Sequence, residues 1–250
     1  MILKITEENV PVNGLNDESL IKYRDSCLAV IPARGGSQRI PQKNLKIFHG
    51  KPLIAYTIEA ALKSNVFSSV VVSTDSYEIK DVAEEYGAEV PFIRSPELAD
   101  DLTPVSLATL DALEKVDLEG KRYKFVAQLM ANCPLRTSDD IRASFSHFLE
   151  KGADAQISVT RYGWLNPWWA LKLDDDERLT PLFSEKQKER SQDLGGLFCP
   201  TGAVWWTKSE SLIKERTFHV NGRTGWVIPW NRAVDIDEED DWALAEALMA

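Results

Sequence analysis

The chain has 250 residues, enough for one large α/β domain with its own core and room for a small appended lobe. Hydrophobic residues make up 44% and charged residues 27%, a balance that excludes a disordered chain, and no apolar run approaches the roughly 20 residues needed to span a bilayer. The formal net charge of −10 repels nucleic acid and anionic lipid at long range, so neither is expected as a partner.

Met1 to Asp25 is acidic and polar and lacks the basic and apolar regions of a signal peptide, so a cytoplasmic protein is expected. Cys27, Cys133 and Cys199 stand at unrelated spacings, which suits reduced thiols better than a disulfide framework or a zinc site. Residues 1–26 read as an extension before the domain at 27–250, either a loose arm or a clip onto a second subunit.

Cys27 to Ile31 is a continuous apolar run of the kind expected for a buried parallel strand. A loop rich in Gly and Arg follows from Pro32 to Asn44, and Lys51-Pro52 opens a helix whose apolar face is Ile54, Ile58, Ala61 and Leu62. Val70 to Val72 predicts a strand, Asp75 caps a helix that stops at Gly87, and Glu89 to Ile93 reads as a short strand. A helix is expected over Val105 to Val116, then a strand over Phe125 to Met130. Ser138 or Asp139 caps a helix that closes at Gly152, and Ala155 to Val159 is a strand. The rhythm lapses from Arg161 to Gln192, where Trp164, Trp168 and Trp169 mark an excursion from the core. Gly202 to Thr207 restores a strand, and Asp237 stands before a last helix through Leu248.

Strands alternating with helices predict a mostly parallel, doubly wound α/β sheet. Ligands of such sheets sit beyond the carboxyl ends of the strands, which directs attention to Pro32–Asn44, Ser73–Asp75 and Ala131–Arg136. The first of these loops, PARGGSQRIPQKN, gathers Arg34, Arg39 and Lys43 beside Gly35-Gly36. Glycines let backbone N–H groups approach a polyphosphate, and the cations offset its charge. No Gly-Lys-Ser/Thr leads into a helix, so a Walker-type loop does not match. A plain Gly-Gly turn among solvated cations is the structural alternative.

This string resembles the nucleotide-binding signature of the acylneuraminate cytidylyltransferases (CMP-sialic acid synthetases). The resemblance extends to VSTD (Val72 to Asp75), RSPELADD (Arg94 to Asp101), CPLRT (Cys133 to Thr137), SQDL before PTGA (Ser191 to Ala203) and DIDEEDD (Asp235 to Asp241). It implies a Rossmann-like nucleotidyltransferase that joins CMP from CTP to an acidic, sialic acid-like sugar and releases pyrophosphate with the help of Mg2+ or Mn2+. A homodimer is expected from the Trp-rich excursion, Arg161 to Gln192, since large aromatics gather at interface cores. Residue by residue, it implies that Arg34, Gly35, Gly36, Ser37, Lys43, Asn44, Arg94 and Arg136 hold the nucleotide. Lys43 is then nearest the phosphorus under attack, with Arg34 and Asp235 beside it in catalysis. Asp235 and Asp237 match the family's metal pair. Their spacing puts both carboxylates on one side of an extended segment, and oxygen ligands suit magnesium. A helix N-cap is the other reading of Asp237.

The departures gather on the acceptor side. Met130-Ala131-Asn132-Cys133 replaces the family's Gln-Pro-Thr-Ser, Thr201 replaces an Asn and Trp205 an aromatic hydroxyl; Trp168 or Trp169 stands where the family has a Lys near a His-Pro turn, and Gln38 stands where a Lys is common. Arg190, Gln192, Thr201 and Trp205 are the candidate residues for the acceptor sugar. The tryptophans serve either dimer packing or a flatter, more apolar acceptor pocket. No histidine among His49, His147 and His219 stands in a motif. Two rival readings are a sugar-1-phosphate nucleotidyltransferase and a nucleotide-binding regulator without catalysis.

Overall fold

In the computed structural model, which describes residues 20–163, 165–190 and 192–249, the run Cys27–Pro32 forms β1 with every residue buried. In chain order there follow β2 (Ile47–Phe48), β3 (Lys51–Pro52), α1 (Leu53–Ser64), β4 (Ser69–Ser73), α2 (Tyr77–Glu85), α3 (Val105–Val116), β5 (Phe125–Gln128) and α4 (Ser138–Lys151). The second half holds β6 (Ala155–Arg161), β7 (Leu171–Leu173), β8 (Leu179–Pro181), β9 (Phe198–Lys208), α5 (Ser209–Glu215), β10 (Thr224–Val227) and α6 (Glu239–Met249).

The main sheet has six strands in the order β10-β6-β9-β5-β1-β4. β1 runs parallel to β4 and β5, and β10 runs parallel to β6, while β9 is antiparallel to both of its neighbours. Alternate residues of β1 face opposite layers, as strand geometry requires. Cys27, Ala29 and Ile31 pack with Ile54 and Ile58 of α1 and Ile141, Phe145 and Phe148 of α4. Leu28 and Val30 pack with Leu110 and Leu113 of α3 and Leu212 of α5. Burial on both faces explains why β1 is apolar throughout rather than alternating. Trp206 of β9 anchors the first layer, stacked on Phe67 and Phe145, with its Nε1–H donated to Ser144 Oγ at 2.9 Å.

Several expected boundaries move. Pro52 is the residue before α1, with no side-chain cap, because Lys51-Pro52 pairs with Ile47-Phe48 as a hairpin. Ser76 rather than Asp75 caps α2, accepting from Ile79 N–H, and Asp75 turns to the glycine loop instead. Thr137 rather than Ser138 or Asp139 caps α4, in a reciprocal capping box with Asp140. Glu89 to Ile93 is not a strand. Glu89 makes one parallel bridge with Val71, and Pro91 then lacks the donor that a continuing ladder needs. β5 stops at Gln128, two residues short of Met130. β9 begins at Phe198, well before Gly202, and α5 and β10 were not foreseen.

Of the N-terminal extension, residues 1–19 lie outside the described residues. From Leu20 the chain is packed: Leu20 is buried in the first layer, and Tyr23 meets Phe125 and Phe145 edge-on. The Arg161–Gln192 excursion is the antiparallel hairpin β7–β8 with short 3-10 turns around it. Trp168 packs edge-on against Phe183 and donates Nε1–H to Gly195 O at 3.0 Å. Trp164 lies outside the described residues. Among the described residues no helix is long and apolar enough to cross a membrane.

Candidate functional site

The loop after β1 and the segment before α6 share one small core. Ile40 and Ile236 are both fully buried against Phe48, Leu53, Trp242 and Ala245. Ile236 sits between Asp235 and Asp237 and anchors that stretch of chain in the small core. The same packing brings Lys43 against that segment. Its ammonium donates to Ile236 O at 2.7 Å and to Asp237 Oδ1 at 2.8 Å.

Asp237 also receives Arg39 at 3.1 Å. Burial works against its charge, but the hydrogen bond and charge of Lys43, with Arg39, hold its carboxyl below the usual carboxylate range. Its side chain therefore serves Lys43 and Arg39 rather than a helix cap; Asp241 accepts the Asp237 and Glu238 N–H groups in that role. Asp235 is the more enclosed of the pair. Its Oδ2 accepts Gly202 N–H at 2.8 Å, and Cys133 Sγ lies 2.6 Å from Oδ1. Burial, reinforced by the charge of Asp237, pushes its carboxyl up, against the pull of the Cys133 and Gly202 contacts.

Lys43, Arg39 and Asp237 border a cavity of about 460 Å³ at the carboxyl ends of β1 and β5, while Asp235 lies outside its lining. Of the sequence-predicted residues, Arg34, Ser37, Lys43, Asn44 and Asp237 line it. Gln38, Arg39, Asp101, Met130 and Asn132 line it as well, and sequence reasoning had assigned no site role to Asp101 or Asn132. A signal for Asn132 was present, since it follows a strand end in a loop already singled out. Asp101 gave none; it reaches the cavity from the loop before α3, where it pairs with Arg34 and accepts from Gln38.

Gly35 and Gly36 border a second cavity of about 340 Å³ on the α2 side of the loop, and Arg34 and Asn44 touch both cavities. Asn44 donates to Arg34 O at 3.0 Å, and Gly35 N–H donates to Asp75 Oδ1 at 2.9 Å. A Cβ on Gly35 would stand 3.1 Å from Ser76 Cβ, so the tight approach of loop to helix needs the missing side chain.

Arg94 and Arg136 lie deeper. Arg94 is 4% exposed, with its Nε and Nη2 without hydrogen-bond partners and Asp75 at 3.9 Å. Arg136 donates to Ala203 O at 2.6 Å, which ties the exit of β5 to β9. Neither residue lines the cavity. The acceptor candidates are placed apart from it. Arg190 pairs with Asp193 on the exposed excursion, where Gln192 is also exposed. Thr201 is buried with its hydroxyl 2.9 Å from Ser158 Oγ, and Trp205 donates Nε1–H to Thr201 O and packs on Phe218 and His219. His49, His147 and His219 do not line the cavity.

The donor set can be tested against a divalent cation. Asp235 and Asp237 offer hard oxygen ligands, and placing the enclosed Asp235 beside the half-exposed Asp237 concentrates negative charge that a cation relieves. Among the described residues no group of three or more His, Cys, Asp or Glu is arranged to hold a metal. Hard carboxylate oxygens are what a divalent cation carried in with a phosphate ligand would need, so these two residues fit such a group.

The family model described as cytidylyltransferase matches residues 28–194. The chain is 35% identical to a pseudaminic acid cytidylyltransferase of Campylobacter jejuni, over 88% of this chain and 95% of that one. It is 35% identical to a CMP-N,N'-diacetyllegionaminic acid synthase of Legionella pneumophila, over 89% of this chain and 95% of that one. A solved CMP:2-keto-3-deoxy-manno-octonic acid synthetase complexed with CTP shares the fold, with a TM-score of 0.67 at 15% identity, covering 90% of this chain and 98% of that one.

Proposed function

The chain belongs to the cytidylyltransferase family, and from that premise we propose that it transfers CMP from CTP to the anomeric hydroxyl of an acidic nonulosonate sugar, with release of pyrophosphate. The observation that carries the proposal is the single cavity that gathers Arg34, Ser37, Lys43 and Asn44 from one loop against Asp237. Cations on one wall and a carboxylate on the other suit a polyphosphate and a metal ion together.

The reaction needs alignment and charge neutralisation more than covalent chemistry. The sugar hydroxyl loses its proton to water and its oxygen forms a P–O bond at the α-phosphorus, as the bond from that phosphorus to the oxygen bridging it to the β-phosphate breaks and pyrophosphate leaves with the electron pair. Lys43 is held by two acceptors, so its ammonium is already in place when negative charge builds on the α-phosphate. Arg34 and Ser37 hold the outer phosphates, and Asn44 fixes the backbone of Arg34. Arg94 and Arg136 brace the cavity from behind through Thr74 O, Ala203 O and the carboxyl end of β5. Asp235 and Asp237 would hold the Mg2+ or Mn2+, which when bound supplies Lewis-acid stabilisation of the phosphate oxygens.

The reading extends to a homodimer. Leu171, Leu173, Leu179 and Leu182 on the β7–β8 hairpin, with Trp169 beside it, are exposed, and a small hairpin has no core of its own in which to bury them. A partner surface there also brings Arg190 and Gln192 next to a second copy, where an acceptor site is completed across the interface with Thr201 and Trp205 behind it. A cytosolic setting, where CTP is made, goes with this reading.

The test is pyrophosphate release with CTP and magnesium over a panel of nonulosonic acids and sugar 1-phosphates. Release with a nonulosonic acid alone is the expected result; release with a sugar 1-phosphate, or none with any acceptor, contradicts the proposal.

A further inference from the structure

Asn132 and Cys133 form the turn beyond β5, and no role in the reading above falls to either. Each grips one of the two carboxylates. Cys133 is fully buried with its sulfur 2.6 Å from Asp235 Oδ1, while Gly202 N–H holds the other oxygen at 2.8 Å. Asn132 Nδ2 donates to Asp237 Oδ1 at 3.3 Å and to Ile236 O at 3.1 Å, the same two acceptors that Lys43 uses. The backbone closes the arrangement, with Ile236 N–H donating to Asn132 O at 2.9 Å. One turn of chain thus meets Asp235, Ile236 and Asp237 in succession.

We propose that Asn132 and Cys133 are positioning residues that fix the directions of Asp235 and Asp237, and so set the affinity of the pair for a divalent cation. The inference rests on the cytidylyltransferase reading. A carboxylate oxygen carries two lone pairs, so a donor on one leaves the other for a metal while removing the freedom of the side chain. Without Cys133, Asp235 keeps Gly202 N–H on Oδ2 but has nothing to stop rotation that lifts Oδ1 away from Asp237. Without Asn132, Asp237 is aimed by Lys43 and Arg39 alone, both of which a triphosphate also attracts. Groups that orient metal ligands in this way change metal affinity or activity by about 10- to 100-fold when removed. Asn132 is 8% exposed, and a buried amide with two well-placed acceptors is not there as filler.

The experiment counts Mn2+ bound by the full chain in the presence of CTP, using the paramagnetic resonance of free Mn2+, with pyrophosphate release measured alongside. Cys133→Ala and Asn132→Ala should each weaken Mn2+ binding about 10- to 100-fold. Cys133→Ser should stay within about threefold of wild type, because a hydroxyl also donates and its shorter bond draws the atom back into ordinary hydrogen-bond range. Adding Cys133→Ala to Asp235→Asn should cost nothing further, since the two changes remove one interaction. An equal additional loss in that double variant would mean that Cys133 acts through packing, and would overturn the proposal. Wild-type Mn2+ affinity in Cys133→Ala and Asn132→Ala overturns it as well, while pyrophosphate release by the wild type leaves the cytidylyltransferase reading standing. A wild type that binds no Mn2+ with CTP overturns both.

Discussion

Gly202→Ala tests how the floor of the cavity is assembled. A Cβ at this position would stand 2.6 Å from Met130 Cγ, 2.9 Å from Met130 Cβ and 3.2 Å from Asp235 Oδ1. Two opposing effects follow. Alanine restricts the unfolded chain and stabilises by roughly 0.4–1 kcal/mol where the backbone allows it, and Gly202 is not in the left-handed region. Overpacking destabilises by roughly 1–3 kcal/mol. The clash should win, because Met130 Cγ can swing aside but Met130 Cβ is fixed to the exit of β5, where Met130 N–H donates to Gly202 O at 3.1 Å. A net loss of about 1–2 kcal/mol lowers Tm by roughly 2–8 °C for a chain of this size. The same methyl group presses on Asp235, so turnover should fall more than the melting temperature suggests. Calorimetry and pyrophosphate release on Gly202→Ala, Met130→Gly and the two together provide the readout. The double variant removes the opposing Cβ, so its loss of stability should fall short of the sum of the two single losses. A single variant as stable and active as wild type would refute the steric reasoning, and a double variant less stable by the sum of both changes would show that Met130 is not the obstacle.

Lys43→Ala should lower kcat by about two to three orders of magnitude, the cost of removing one preorganised donor at a developing charge, with a smaller effect on CTP affinity. Lys43→Arg should fail nearly as badly, because a guanidinium cannot sit at the point between Ile236 O and Asp237 Oδ1; full turnover in either variant contradicts the mechanism. Asp101→Asn removes the partner of Arg34 on the rim, and since a half-exposed pair is worth about 0.2–1 kcal/mol, CTP should bind up to about fivefold more tightly by calorimetry. Weaker binding would make Asp101 a partner of the nucleotide rather than its competitor. Leu173→Asp with Leu179→Asp should yield a monomer in light scattering at micromolar concentration; an unchanged mass in the variant, or a monomeric wild type, removes the hairpin from the interface.

The sheet was legible because its strands are buried on both faces, which leaves apolar runs at Cys27–Ile31 and Val70–Val72 that no surface segment would carry. β10 was not, because Thr224-Gly225-Trp226-Val227 is an edge strand with mixed burial and no period to read. The helix caps were misplaced by one or two residues at Asp75 and Ser138, where acidic and hydroxyl residues compete at adjacent positions and tertiary partners decide. Asp75 lost the cap of α2 to Ser76 because Gly35 N–H claims its carboxylate. The loop from Pro32 to Asn44 and the Asp235–Asp237 pair stood out because each lies on one contiguous stretch of chain, and Lys43 and Asp237 do meet in the structure. Asp101 did not stand out, since it joins the cavity through a contact across 63 residues of sequence, and Asn132 was marked only by its place after a strand end. The acceptor candidates are scattered in the chain, with Arg190 and Gln192 on the excursion and Thr201 and Trp205 in the sheet.

The central claim is that CMP passes from CTP to a free acidic sugar. Phosphorus NMR of the reaction with CTP, magnesium and a nonulosonic acid reads it directly. The three CTP resonances should give way to one uncoupled phosphodiester signal and to pyrophosphate, in equal molar amounts. A pair of coupled signals from a diphosphate-linked product, formed from a sugar 1-phosphate, or CTP left unconsumed with every acidic sugar, would contradict it.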